Sequence, residues 1–301
     1  MRKRVFSIML FAAASGTVTA MADNAPLWLR DAAISPDGSR IAFTFKGDIY
    51  TVPTTGGKAS RLTALPSLEW APVWSPDGTK IAFATDRNGG SDIYIMGADG
   101  GHATRLTFDS ASETPEAFTP DGAEIVFSAA IQDAPSSVMF PTALLTEVYT
   151  VPVAGGRTRQ LLSTPAENIS YLPDGKSFLY HDVKGMENKF RKHHTSSVTR
   201  DIWLYDATTG RHTNLTNRYG EDRNPVVADG GKTLYFLSER NGGSFNVYRM
   251  SLDNPADVKP LTDFKDHPVR FLSQAAGGTL AFGYDGELYT MKPGEQPRNC
   301  L

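Results

Sequence analysis

The chain has 301 residues, 40% of them hydrophobic, and its 33 acidic against 30 basic side chains give a formal net charge of -3. That is enough apolar material for one large domain or two small ones, and the acidic balance excludes the basic surface that nucleic acid or anionic lipid requires. Cys300 is the only cysteine, so an internal disulfide is excluded and a side-chain core has to hold the fold.

The first element, residues 1–22, reads as a signal peptide. Arg2, Lys3 and Arg4 precede an apolar run from Val5 to about Val18, and Ala20-Met21-Ala22 has the small-x-small form of a signal-peptidase site. The run is too short for a permanent membrane anchor, and no later stretch approaches membrane length. The expected product is periplasmic and starts near Asp23. Loss of three cations takes its net charge to -3 - 3 = -6.

From there the chain repeats. "AISPDGSRIAFT" at 33–44 returns as "VWSPDGTKIAFA" at 73–84, and six units follow the same frame, at about 28–70, 71–114, 115–167, 168–222, 223–268 and 269–301. Each has a turn glycine, expected at Gly38, Gly78, Gly122, Gly175, Gly231 and Gly277. Five residues later comes an aromatic: Phe43, Phe83, Phe127, Tyr180, Phe236 and Phe282. A second aromatic closes a "DIY"-like triplet, at Tyr50, Tyr94, Tyr149, Trp203, Tyr248 and Tyr289. Ser-Pro-Asp-Gly is a tight turn, because Pro presets φ, Asp suits the next position and Gly takes the positive φ that follows. It joins strand A to strand B ("RIAF", "KIAF"); "DIYTVP" is strand C and "SRLT" or "TRLT" strand D.

Such a period, with four short strands per unit, predicts an all-β fold, a six-bladed β-propeller of four-stranded antiparallel blades in which each blade covers its neighbour's apolar face. Unit six ends at "QPRNCL", where its strand D is due, so the sequence leaves the last blade incomplete. Two closures stay open: "DNAPLWL" at 23–29 pairing onto the outer edge of blade six, or a chain that continues.

The insertions all fall between strands B and C, where the aromatic-to-aromatic interval grows from 7 residues in units one and six to 22 and 23 in units three and four. B–C loops share one face of a propeller with the D–A connections, and binding residues concentrate on loops held by a rigid scaffold. Loop three carries Met139, Phe140 and Pro141 and either tucks over the channel mouth or is offered to a partner, with tucking favoured. Loop four carries Lys189, Arg191, Lys192, His193 and His194. Adjacent histidines point apart on a strand and no further ligand stands at a diagnostic spacing, so no metal is expected; a polar loop that bonds its neighbours or a ligand carboxylate is the better reading. "DRNGGSD" and "ERNGGSFN" place Arg87, Arg240 and Asn241 in hairpin turns, with local ion pairs favoured over a grip on an anion. The acids that open strand C, Asp48, Asp92, Glu147, Asp201 and Glu287, recur too regularly for catalysis and are expected to accept bonds from loop amides. No nucleophile elbow, zinc-protease helix, phosphate loop or calcium loop is present, so neither catalytic residues nor cofactors are expected.

The repeat "SPDG…IAF…DIY…GG…RLT" resembles the WD-like propeller units of TolB and tricorn protease along essentially all of residues 23–301. "QDAPSSVMFP", "FRKHHTSSVTRDIWLYD", "EDRNPV", "LSERNGGSFNVY" and "HPVRFL" more narrowly resemble the N-terminal propeller of bacterial periplasmic tricorn-like peptidases, whose PDZ and serine-protease domains follow it. The resemblance implies a scaffold that admits or docks peptides and supports assembly. Its partners would be a protein, a peptide or a protease/PDZ module, and it transfers no catalytic residue. The candidate ligand-binding residues are therefore Arg191, Lys192, His193, His194, Arg87, Arg240, Asn241 and Phe140. Two alternatives remain: a TolB-like envelope scaffold, and a metal-assisted lyase or hydrolase using His193, His194, His181 and His212.

Overall fold

The computed structural model describes residues 28–131, 145–192 and 196–301. The signal segment, Phe140, His193 and His194 lie outside them. Six four-stranded antiparallel sheets occupy residues 30–61, 69–105, 114–162, 166–214, 222–260 and 270–299. In each, strands A to D run outward in chain order. The A strands touch one another in sequence, and the first touches the last, so the sheets are blades around a common axis.

The Ser-Pro-Asp-Gly turn works as its chemistry requires. The Ser35 hydroxyl donates to Asp37 Oδ1 at 2.5 Å, Gly38 N–H donates to the Ser35 carbonyl at 2.9 Å, and Ser35 Oγ accepts from Arg40 N–H at 3.0 Å. Ser75 to Lys80 repeats the pattern. Gly38 and Gly78 sit at φ 73° and 69°, where a β-carbon is strained. Blade six departs from expectation. Its glycine at positive φ is Gly278 (85°), not Gly277, because "AAGG" closes a turn one residue shorter, with Ala275 N–H reaching the Thr279 carbonyl.

Strands B and C place the two repeated aromatics directly opposite each other in every blade, from Phe43↔Tyr50 to Phe282↔Tyr289. Ring centroids lie 5.7 to 6.2 Å apart in five of the pairs, the spacing at which aromatics attract beyond their buried area. The buried apolar residues form six clusters, one at each seam between neighbouring blades. The core is thus a ring of interfaces.

Blade six is complete. Arg298–Asn299 forms its strand D against Tyr289 and Thr290. The "DNAPLWL" closure falls mostly outside the described residues; its last residue, Leu29, is buried and donates to the Gly286 carbonyl in the B–C turn of blade six. The ends meet face to face instead. Leu29, Ile34 and Phe43 of blade one pack with Ala281, Leu288 and Cys300 of blade six, and Arg298 Nη2 donates to the Thr54 carbonyl at 3.0 Å.

Candidate functional site

Each strand A carries a β-bulge midway along its length, where it has one residue more than the stretch of strand B it faces. In five blades the bulge residue adopts the left-handed conformation: Asp31, Ala71, Asn168, Asn224 and Phe271, at φ 52° to 57°. With Glu116 of blade three, these six residues ring the axis and line both of its cavities. One of about 180 Å³ lies toward the B–C loops, and one of about 290 Å³ toward the A–B turns.

The blade-four insertion crosses the first cavity. Lys189 reaches Glu167 at 3.1 Å, and its carbonyl accepts from Arg223 at 3.1 Å and Arg270 at 2.7 Å. Arg270 also bonds the carbonyls of Phe190 and Arg191. Arg30 of blade one lies 5.0 Å from the Phe190 ring centroid and Arg270 of blade six lies 5.4 Å from it. One loop from blade four is therefore pinned by blades one, five and six across the channel mouth.

Beneath it the charge is paired and dry. Arg191 donates to Glu221 at 2.7 Å and Glu239 at 2.8 Å, Arg200 donates to Glu221 at 3.1 Å, and all four side chains are at most 5% exposed. His181 is buried. Its Nδ1 faces the Asn224 N–H at 3.3 Å, which assigns the proton to Nε2, 3.4 Å from Glu167. Burial depresses the His181 pKa to about 4, so the ring is neutral. Burial and the nearby Glu167 charge raise Glu116. Burial also acts on Glu167, but the His181 hydrogen bond and the Lys189 charge outweigh it and hold that carboxyl below its usual range.

The expected site residues therefore separate. Arg191 lies inside the protein, holding the loop. Arg87 and Arg240 are structural twins: each pairs with a fully buried carboxylate, Glu69 at 3.1 Å and Asp222 at 3.0 Å, and each lies over the aromatic pair of its own blade. Asn241 borders a groove between the outer parts of blades five and six. Lys192 is exposed and lines a cavity at the mouth. His212 bonds the Tyr180 hydroxyl at 2.7 Å, and among the described residues no three His, Cys, Asp or Glu side chains converge as metal ligands.

The acids opening strand C take a different partner from the one expected. Asp48 and Asp92 receive Arg61 (2.6 Å) and Arg105 (2.8 Å) from strand D, the arginines of "RLT". The threonine of the same triplet caps the amide that follows the acid. Asp201 takes Lys184 and the strand-D Asn214, and Glu147 takes Tyr149 and the strand-D Gln160.

What the sequence did not point to is the apolar face. Nine large hydrophobic side chains are exposed among the described residues, and eight stand on the face of the B–C and D–A loops: Trp28, Leu65, Leu68, Phe108, Leu145, Met186, Phe190 and Tyr219. The ninth is the terminal Leu301. Beside Phe190 the mouth opens into a cavity of about 340 Å³ between blades six and one, with Trp28, Phe271 and Tyr284 in its walls and Arg30, Lys192 and Arg270 among them.

Residues 26–297 match the family model described as the tricorn protease N-terminal beta propeller domain. Among curated proteins, the uncharacterized peptidase YuxL of Bacillus subtilis is 32% identical over 93 residues, 31% of this chain and 13% of that protein. The uncharacterized protein Atu1656 of Agrobacterium fabrum is 38% identical over 117 residues, 38% of this chain and 35% of that protein. This chain thus spans about a third or less of these relatives' length. The crystal structure of the tricorn protease superposes with a TM-score of 0.75 at 22% identity, covering 92% of this chain and 26% of that one. That of a putative TolB from Agrobacterium tumefaciens gives 0.63 at 22% identity, covering 81% and 84%. At these identities the structural likeness is one of fold.

Proposed function

The chain belongs to the tricorn protease N-terminal β-propeller family, and from this premise we propose that it is a non-catalytic propeller that binds protein or peptide through its B–C and D–A loop face. In this reading residues 1–22 direct it to the periplasm and are removed, and residues from 23 onward form the binding ring. The observation that carries the proposal is the gathering on that face of eight of the nine large hydrophobics exposed among the described residues. Scattered apolar residues need no explanation, whereas a one-sided set on the elaborated loops is what a partner would cover. Lys192 and Phe190 take part directly, and Arg191 acts from below by fixing the loop that presents them.

A photo-crosslinking residue placed at Phe108 should yield adducts in the producing cell, and one placed at Lys259, exposed on the outer strand of blade five, should not. No adduct from position 108, or the same adducts from both, would remove the loop face from consideration. The extent of the overlap with a putative TolB, most of both chains, favours a second reading as an envelope scaffold. The identity of the adducts separates the two: peptidase modules or peptides in one case, envelope scaffold proteins in the other.

A further inference from the structure

The cavity between blades six and one differs from the rest of the loop face in its charge. Elsewhere the arginines of this face stand on carboxylates: Arg87 on Glu69, Arg105 on Asp92, Arg218 and Arg240 on Asp222. Around this cavity they do not. Among the described residues neither Arg30 nor Lys192 has a carboxylate partner, and Arg270 spends its donors on three main-chain carbonyls. The one acid in the lining, Asp285, stands 3.2 Å from His267. Three cations thus share the lining with a single, already engaged carboxylate, in a chain whose net charge is negative. Asp31, which feels the Arg30 charge, lies half-buried outside that lining and is occupied by the Thr44 hydroxyl and the Ala71 N–H.

The walls are built before any ligand arrives. Tyr284 is stacked on Phe264 at 3.9 Å, and the guanidinium groups of Arg30 and Arg270 lie 5.0 and 5.4 Å from the Phe190 ring centroid. Trp28 stands 68% exposed at the edge. At about 340 Å³ the space falls within the range of ligand pockets, which starts at roughly 300 Å³. A carboxylate meeting Arg30 would make charge-assisted bonds that the protein does not supply, while an adjacent apolar side chain would cover the aromatic wall.

We infer that this cavity is a docking site for an acidic segment of a protein partner, with an apolar side chain seated against Phe190 and Tyr284 and flanking Asp or Glu carboxylates on Arg30 and Lys192. The inference rests on the binding reading of the loop face and names the chemistry of its partner. Complementarity of this kind steers encounter and selects partners, and it weakens with salt.

Fluorescence polarisation of the labelled, N-acetylated, C-amidated peptide Gly-Asp-Phe-Asp-Gly tests it. The Asp peptide should bind about tenfold or more tightly than its Asn counterpart, a difference of about 1.4 kcal/mol. Arg30→Ser with Lys192→Ser should abolish that preference. The lost Arg30–Phe190 contact should lower the melting temperature only slightly, because Arg223 and Arg270 still hold the carbonyls of the loop. Lys192→Ser alone should weaken the preference with no change in melting temperature. Binding should weaken as salt rises from about 0.05 to about 0.5 M. Equal binding of the Asn peptide, insensitivity to the double substitution, no binding by the Asp peptide, or binding only by peptides with a free C-terminus would each overturn the inference. Adducts from position 108 would persist in any of these cases, so a failure here is distinguishable from a failure of the loop-face reading.

Discussion

Arg191 shows what a single side chain contributes to this surface without touching it. Its guanidinium is 0% exposed and lies between Glu221 and Glu239. Removing one partner of a buried ion pair strands the others, so Arg191→Met should cost about 3 to 5 kcal/mol in urea unfolding. The sequence placed Arg191 with the mouth cations because its partners are 30 and 48 residues away and nothing local announces them. Glu113 is a second such residue. Burial raises its carboxyl from 4.5 to about 8, against a hydrogen bond from Thr107. A raised acid favours folding fully below its unfolded pKa, and that contribution is lost as pH climbs toward 8. Glu113→Gln should therefore gain on the parent protein between about pH 5 and about pH 8.5 in urea midpoints, with the difference levelling off above that. An unchanged difference across the range would mean that Glu113 is ionised in the fold throughout.

At the scale of the strand, the bulge turns a repeated element into a channel lining. Non-glycine residues in the left-handed region cost of order 1 to 3 kcal/mol, and five blades accept this at the same place. Ala71→Val, which puts a β-branched residue there, should destabilise by about 1 to 3 kcal/mol, and Ala71→Gly should be neutral or slightly stabilising. Thermal melts of both read the difference directly. Equal effects would show that packing, not backbone geometry, decides the position. The bulge was hidden in the sequence because Asp31, Ala71, Asn168, Asn224 and Phe271 range from a carboxylate to an aromatic ring and no single letter recurs; what these five share is a left-handed backbone, which Glu116 of blade three lacks. The turns and aromatic pairs were readable for the opposite reason. A positive φ selects glycine, and a pairing across strands B and C selects rings, so the same letters recur. The pairing of strand C acids with strand D arginines also recurs in the letters, 13 residues apart in blades one and two. Recognising it required knowing that the two strands are neighbours.

For the whole molecule, stability is distributed over six seams, and five of them join consecutive blades. The sixth joins the two ends of the chain and has no covalent continuity to help it. The period of the repeat made the number of blades legible. The manner of closure was not, because a two-residue strand at 298–299 has no pattern to read. Deleting residues 298–301 removes Cys300 from the closing cluster and the Arg298 bond to Thr54, and should lower the melting temperature more than any exposed loop substitution proposed above. A melting temperature equal to that of the full chain would show that the inner strands alone hold the ends together.

Cys300 gives this seam a built-in clock. It is the sole thiol, 1% exposed, and burial pushes its pKa up, so in the closed molecule it meets a sulfhydryl reagent neither as a thiolate nor within reach. Each labelling event then counts one release of the 298–301 strand from the first blade, and with reagent in excess the rate of colour development under native conditions follows how often the circle loosens at its join.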